Sequence, residues 1–255
     1  MLGTVIATVT WDTARQTADT LDGLKDAIQN AEIEEPAPAK VQGPDVATGD
    51  GLAMAYLAGA KNLIGALEEG GDIHQLTASQ IYGVDYDDVT KDQRFMGKVC
   101  VHQMDYGATP HGMCRSLGIT LKEAERIHRE WFAWVPEMAE YHAHLAEQGD
   151  RKRKGINPFG IVRKFLGHYN PNDLFNWMGQ STAACVIRRA MLRLPEYLHL
   201  LVQVHDSLLF EHPSQTVDEA TQLIEEAMVY PVEINGYSVT FPVTIKVGET
   251  WEEVS

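Results

Sequence analysis

Two apolar runs on either side of a single polar pair constrain this chain more than any other stretch of its sequence. Residues 201–204 precede His205 and Asp206, and residues 207–210 follow them. Strand-forming residues on both sides predict a tight β-hairpin with an acid at its tip. A carboxylate in such a turn can bind Mg²⁺, a hard cation that prefers oxygen ligands. Because His-Asp is also an ordinary turn dipeptide, the hairpin alone leaves a plain surface turn open.

A second segment predicts one helix face with cationic and aromatic side chains. Arg94, Lys98 and His102 follow one another at i, i+4 spacing, so they project from the same face. Tyr106 continues that face, and Gly107 suits the left-handed position that ends many helices. Two cations, an imidazole and a phenol favour a ligand that joins a polyanion to a flat ring. A solvated basic stripe is the alternative.

Taken in order, these segments and three others resemble the motifs of family A DNA polymerases, the group that includes bacterial polymerase I. The helix matches the pattern Arg-x3-Lys-x7-Tyr-Gly, and the hairpin matches Gln-Val-His-Asp. Residues 176–184 resemble the family's Asn-x3-Gln-Gly-Thr-Ala-Ala helix, residues 72–74 match its Asp-Ile-His, and residues 247–251 are similar to its final strand. Several motifs in the same order are far more specific than any one of them.

The resemblance implies a second catalytic acid at Asp45. The family places this acid about nine residues before a helix of the form Met-Ala-x-Leu, which residues 54–57 match. Asp50 then occupies the position of the family's sugar-gating glutamate, and its shorter side chain reaches less far toward the sugar 2′ position. A polar loop with incidental acids is the alternative. The proline-rich residues 34–44 predict an irregular connection in place of the apolar strand expected before Asp45.

The resemblance also implies a role for each matching residue. Asp45 and Asp206 would hold two Mg²⁺ ions, while Lys98 would bind the triphosphate and offset charge on the leaving group. The other residues implied to bind the deoxynucleoside triphosphate (dNTP) are Asp50, His74, Arg94, His102 and Tyr106. The residues implied to contact primer-template DNA are Arg15, Gly107, Asn176, Gln180 and His205.

Three positions depart from the family pattern. His102 stands where the family has Phe or Tyr against the sugar, Ser207 replaces an acid, and Asn172 replaces an arginine. No departure removes an implied metal ligand. The sequence therefore favours an altered but active DNA-directed DNA polymerase. The alternative within the same fold is a catalytically inactive, polymerase-like scaffold in a replication complex.

The element pattern predicts an α+β fold, with a polymerase palm built on an antiparallel sheet and a helical insertion for the fingers. We expect the first part of the palm in residues 1–71, the fingers in 72–150 and the second part of the palm in 151–255. Residues 121–147 give the longest helical pattern, which Pro136 should kink. No segment corresponds to a thumb or exonuclease domain. We therefore expect either a fragment or a subunit of a split polymerase, whose partner chain carries the thumb, with or without an exonuclease.

The charge of the chain supports that expectation. A net charge of −15 in 255 residues is unusual for a protein that binds DNA alone, because Lys and Arg supply most non-specific affinity for phosphate. Residues 151–154 are a dense basic cluster that predicts either a phosphate-facing stripe, together with Arg163, Lys164, Arg188 and Arg189, or a solvated turn. A basic partner chain would supply the positive charge that this acidic chain lacks for binding DNA.

Other sequence features narrow the class of protein. Three cysteines without C-x-x-C spacing indicate reduced thiols rather than a disulfide framework or a zinc site. No signal peptide or long apolar run is present, which predicts a cytoplasmic enzyme without a membrane partner, in the host cytoplasm if a bacteriophage encodes it. An acidic adaptor, or a metallohydrolase using His128, His142 and His144, is the rival from another class, but no two of these histidines have the i, i+4 spacing of a helical metal site.

Overall fold

The computed structural model describes residues 3–8, 37–39, 49–204, 207–213, 216–248 and 250–254. In chain order the strands are β1 (Gly3–Thr8), β2 (Ala37–Ala39), β3 (Lys154–Ile156), β4 (Val162–Lys164), β5 (His199–Val204), β6 (Ser207–Glu211), β7 (Val232–Ile234), β8 (Tyr237–Val239) and β9 (Thr244–Gly248). The helices are α1 (Gly49–Ala58), α2 (Lys61–Glu68), α3 (Ile73–Tyr82), α4 (Lys91–Asp105), α5 (Pro110–Leu117), α6 (Leu121–Trp134), α7 (Pro136–Lys152), α8 (Pro171–Met191), α9 (Val217–Met228) and α10 (Trp251–Val254). This mixture of helices and small sheets confirms the predicted α+β class.

The chain divides into two compact units. We call residues 1–44, 186–231 and 240–255 the sheet unit, and residues 45–185 and 232–239 the helical unit. Each unit has a buried apolar core, with Phe210, Ile224 and Phe241 in the sheet unit and Met104, Trp131 and Leu174 in the helical unit. The palm and fingers boundaries stay a prediction. In the ranges that the structure describes, no helix is both long and apolar enough to cross a bilayer.

A five-stranded sheet organises the sheet unit. β1 pairs antiparallel with β6 and with β9, and β5 pairs antiparallel with β6. β2 pairs parallel with β1, so the sheet is not wholly antiparallel as predicted. The predicted irregular connection therefore contributes a short strand that contains Pro38. β2 lies at one end of the strand order, where the missing N–H of proline is tolerated.

The predicted hairpin is present as β5 and β6. Val204 lies opposite Ser207 in the register, which leaves only two chain positions between the paired strands. The register shifts between Leu200 and Val202, which marks a β-bulge in β5. Leu208 and Phe210 alternate along β6 as its fully buried residues. The predicted hairpin pairing is therefore confirmed, and the structure shows which side of β6 is buried.

The long helical pattern of residues 121–147 is two helices instead of one kinked helix. α6 ends at Trp134, Val135 has non-helical dihedral angles (φ −123°, ψ 65°), and Pro136 is the first residue of α7. Proline lacks the N–H that a helix interior requires, but the first turn of a helix does not need that donor. The prediction of a kink was therefore wrong, because the chain restarts its helix at the proline.

A tight hairpin closes the helical unit around the end of α1. Asn235 and Gly236 join β7 to β8 with positive φ angles of 51° and 84°, as a two-residue type I′ turn requires. The Asn235 side-chain amide donates to the backbone oxygens of Tyr56 and Leu57, each at 3.3 Å. These bonds satisfy carbonyls in the last turn of α1, which have no partner within the helix.

Candidate nucleotide-binding site

A capping box fixes the start of α4. The Gln93 N–H donates to Thr90 Oγ1 at 3.3 Å, and the Thr90 N–H donates to Gln93 Oε1 at 2.9 Å. From this point one uninterrupted helix runs to Asp105. The predicted helical spacing of Arg94, Lys98 and His102 is confirmed, so these three side chains share one face.

Because Gly97 has no side chain, the main chain of α4 lies directly against the main chain of α3. A Cβ atom on Gly97 would lie 2.1 Å from His74 O, 2.9 Å from Ala78 N and 3.0 Å from Ala78 Cβ. His74 is only 1% exposed and belongs to α3, so it is a buried helix residue and not a solvated loop histidine. The close contact brings the backbone of His74 against α4, between the turns that carry Arg94 and Lys98.

Asp72 joins the two helices through one carboxylate. Its Oδ1 caps α3 by accepting from the backbone N–H groups of His74 (2.8 Å) and Gln75 (3.1 Å). Its Oδ2 accepts from Arg94 Nε at 2.5 Å. The carboxylate thereby limits where the guanidinium can lie. The sequence identified Asp72 only as part of a motif, although an aspartate directly before an apolar helix is a recognisable capping signal.

An imidazole and a phenol lie together near the end of the same face. The rings of His102 and Tyr106 meet edge to face, with their centroids 4.4 Å apart and an angle of 66° between their planes. Both residues are partly exposed. A flat ring of a ligand could therefore contact this pair, while an anionic group could reach the cations one and two turns earlier.

The turn after α4 has a complete Schellman motif. The Gly107 N–H donates to Met104 O at 3.0 Å, and the Ala108 N–H donates to Gln103 O at 2.8 Å. Gly107 has φ 70°, which confirms the predicted left-handed position. The Asn172 amide of α8 donates to Gly107 O at 3.0 Å. Asn172, noted in the sequence only as a departure from the family pattern, therefore holds this turn.

The two predicted DNA-contacting residues of α8 lie one turn apart. Gln180 is exposed, whereas Asn176 is partly buried. Asn176 Oδ1 is buried and has no hydrogen-bond partner within the described ranges. A buried acceptor of this kind is normally satisfied, so a bound ligand or water is the expected partner. Asn157 was missed by the sequence analysis, and its amide fixes the β3–β4 connection by donating to Ser181 Oγ at 3.1 Å.

Part of the predicted basic stripe lies on the β3–β4 hairpin. Lys154 is paired directly opposite Lys164, and both side chains are exposed. Like charges opposite each other destabilise a strand pair unless an anion or solvent screens them. The Arg163 guanidinium lies over the Phe165 ring, 5.0 Å from its centroid. Arg188 and Arg189 are also exposed, but they belong to the sheet unit.

The two implied metal ligands, Asp45 and Asp206, lie outside the described residues. Arg15 and His205 also lie outside them, and the side chain of Asp50 does as well. Among the residues that are described, no group of three or more His, Cys, Asp or Glu side chains could hold a metal ion. Two carboxylates are a suitable donor set for Mg²⁺, so the implied pair fits the ion by donor chemistry.

Burial keeps two titratable groups next to the α4 backbone, Cys100 and His142, in their neutral forms. Desolvation raises the pKa of the Cys100 thiol to about 12. Desolvation also lowers the pKa of His142 to about 4, although its hydrogen bond to the Asp105 backbone partly opposes this shift. Both groups are therefore neutral at pH 7. The positive charge of this region therefore comes from Arg94 and Lys98, which are partly exposed.

Comparison with known proteins agrees with these motifs. The model of DNA polymerase family A matches residues 52–253. DNA polymerase I of Geobacillus stearothermophilus is 30% identical over 214 residues, which cover 78% of this chain and 24% of that protein. The thermostable DNA polymerase I of Thermus filiformis is 31% identical over 216 residues, which cover 78% of this chain and 25% of that protein. The chain spans about a quarter of the length of these relatives.

A solved structure shows the same fold. It is the POL domain of Pol1 from M. smegmatis in complex with DNA primer-template and dNTP. Its TM-score with this chain is 0.73 at 25% sequence identity, and the match covers 86% of this chain and 40% of that one. Because the family model covers most of the sequence and the fold agrees, this chain belongs to DNA polymerase family A.

Proposed function

We propose that this chain catalyses template-directed DNA synthesis, in which a primer 3′-hydroxyl attacks the α-phosphate of a dNTP and pyrophosphate leaves. The observation that carries the proposal is the pair of helices α3 and α4. Their contact at Gly97, together with the Asp72–Arg94 ion pair, orders one helix face that carries two cations and two rings. A dNTP has the matching shape, with a triphosphate at one end and a base at the other.

Each residue on this face has a role in the proposal. Arg94 and Lys98 bind the triphosphate, since charge-assisted hydrogen bonds to phosphate are strong. His74 is 1% exposed, so it would join them once its side chain turns toward the ligand. Lys98 also offsets charge on the departing pyrophosphate. His102 contacts the sugar and Tyr106 contacts the base. The complex of the M. smegmatis domain with primer-template DNA and dNTP supports this assignment by analogy.

Asp45 and Asp206 would hold two Mg²⁺ ions, which when bound stabilise the attacking and leaving oxygens of an in-line displacement. Asp50 limits access to the sugar 2′ position less than a glutamate would, because its side chain is shorter. This predicts weaker exclusion of ribonucleotides. The comparison of dNTP and ribonucleotide incorporation by wild type and Asp50→Glu tests that point directly.

Primer-template DNA would contact a second set of residues. Asn176 contributes its buried Oδ1 atom, the backbone turn at Gly107 meets the template, and the β3–β4 cations face phosphate. The further members of this set are Arg15, Gln180 and His205. The net charge of −15 supports a basic partner chain that binds DNA with this one and carries a thumb. The bacteriophage source and the cytoplasmic location stay predictions from the sequence.

Primer extension tests the proposal. The chain, with any protein that co-purifies, is assayed with Mg²⁺ as wild type, Asp206→Asn and Lys98→Met, and Lys91→Met on the exposed first turn of α4 is the matched control. We expect Asp206→Asn to abolish extension and Lys98→Met to lower kcat/KM for dNTP roughly tenfold to a hundredfold, the value of one charge-assisted bond. Lys91→Met should match wild type. DNA binding without extension by wild type would favour the inactive scaffold.

A further inference from the structure

A buried histidine behind the nucleotide-binding face meets the last carbonyl of α4. His142 of α7 is 8% exposed, and its Nε2 lies 2.9 Å from Asp105 O. A carbonyl oxygen only accepts hydrogen bonds, so Nε2 carries the proton and donates. Because burial keeps the imidazole neutral at pH 7, its single N–H is committed to this bond. The last carbonyls of a helix lack helical partners, and His142 satisfies one of them.

The same histidine is stacked on the ring that supports Gly107. The rings of His142 and Phe175 are nearly parallel, with an angle of 9° and a centroid distance of 4.2 Å. Phe175 in turn lies against Gly107, where an added Cβ would be 2.7 Å from Phe175 Cδ2. His142 therefore reaches the turn twice, through the Asp105 carbonyl and through Phe175.

Two further side chains lie against the backbone of this turn. Asn172 of α8 donates to Gly107 O at 3.0 Å. The backbone of Ala108 raises the pKa of His128 of α6 and so opposes part of the lowering that burial causes, which places His128 beside this turn. Side chains from two different helices thus contact the backbone of residues 105 and 107, and a third helix places His128 beside residue 108. Tyr106 lies between residues that are held on both sides.

We propose that His142 is a positioning residue that fixes the turn at Tyr106 and Gly107 and thereby sets where the Tyr106 ring meets the nucleotide. The effect on nucleotide binding rests on the proposed function. His142 does not touch the substrate in this proposal; it acts through the Asp105 carbonyl and the Phe175 ring. Two properties of the imidazole are required, a flat ring and one N–H donor. An apolar aromatic residue at this position would keep the flat ring and lose the N–H donor.

Three variants of the full chain separate these properties. His142→Phe keeps a ring against Phe175 without the donor, and His142→Gln keeps a donor without the ring. His144→Phe is the matched control, because His144 is an exposed histidine two residues later on α7. Hydrogen exchange of the Gly107 and Ala108 amides reports on the turn independently of activity. Primer extension at varied dNTP concentration separates KM from kcat.

We expect His142→Phe to speed exchange of these two amides and to raise KM for dNTP, each roughly tenfold, as the loss of one buried hydrogen bond predicts. The value of kcat should change much less, and His142→Gln should restore part of the KM. His144→Phe should leave both readouts unchanged. Unchanged exchange in His142→Phe, or equal KM values in His142→Phe and His144→Phe, would overturn the positioning role.

The two proposals fail in different ways. If wild type shows no primer extension under any condition, the proposed function is wrong, and amide exchange still decides whether His142 holds the turn. If wild type is active and the exchange of Gly107 and Ala108 does not respond to His142→Phe, the positioning role alone is wrong. If His142→Phe does not fold, His142→Leu, which also lacks the N–H donor, takes its place: faster exchange of Gly107 and Ala108 than in wild type supports the positioning role, and unchanged exchange overturns it.

Discussion

Replacing Gly97 with alanine tests whether the α3–α4 contact holds the proposed nucleotide-binding face. The new Cβ would lie 2.1 Å from His74 O, so α4 must move away from α3 by about 1.5 Å to restore an ordinary contact. Overpacking a core typically costs about 1–3 kcal/mol, and we expect the upper end because the obstructing His74 atom belongs to the main chain. Alanine returns about 1 kcal/mol through its higher helix propensity. The net loss of stability is about 2 kcal/mol.

A glycine in a neighbouring helix gives the matched control. Gly65 lies within α2, and a Cβ at that position would have no neighbour within 4 Å. Gly65→Ala should therefore stabilise the protein by about 0.5–1 kcal/mol. Thermal unfolding should show a Tm lower by about 4–8 °C for Gly97→Ala and slightly higher for Gly65→Ala.

The same change should weaken catalysis. A displacement of about 1 Å in a group that positions substrate can lower activity roughly a hundredfold, so kcat/KM for dNTP should fall at least tenfold in Gly97→Ala. Gly65→Ala should retain wild-type kcat/KM. If Gly97→Ala were as stable and as active as Gly65→Ala, the inference that Gly97 sets the α3–α4 distance would be wrong.

Three other predictions concern charge, capping and thiol chemistry. Because the folded pKa of His142 is lowered to about 4 from 6.5, the unfolded chain binds a proton more readily, and stability should fall by up to about 3 kcal/mol as pH drops from about 6.5 to about 4. Urea unfolding across that range should show a smaller loss for His142→Gln than for wild type. Thr90→Ala removes the cap of α4 and should cost about 1 kcal/mol, measured by urea unfolding against wild type. A thiol reagent at pH 8 should modify the partly exposed Cys114 well before the buried Cys100, whose pKa is raised to about 12, and mass spectrometry of the modified peptides will show the order. Equal rates at the two cysteines would contradict the burial of Cys100.

The local elements of this protein could be predicted from its sequence. The i, i+4 spacing of Arg94, Lys98 and His102 determined their common face, because helix periodicity is a local property. Gly107 marked the end of α4 for a similar reason, since a left-handed residue strongly favours glycine. The β5–β6 hairpin followed from two apolar runs separated by two residues. Pro136 was misjudged because a proline predicts an interruption without deciding whether the helix bends or restarts.

Contacts between distant segments were decided only by the tertiary structure. No sequence pattern indicated that His142 would meet Asp105 O, or that Asn172 would meet Gly107 O, because these pairs are separated by 37 and 65 residues. The ion pair of Asp72 with Arg94 and the approach of α3 to α4 at Gly97 depend in the same way on how the helices pack. Periodicity determines which side of a helix is apolar, but the shape of the packed side chains determines which neighbour that side meets. The sequence therefore determined the motifs, whereas the packing of the helices decided which distant residues contact these motifs and hold them in position.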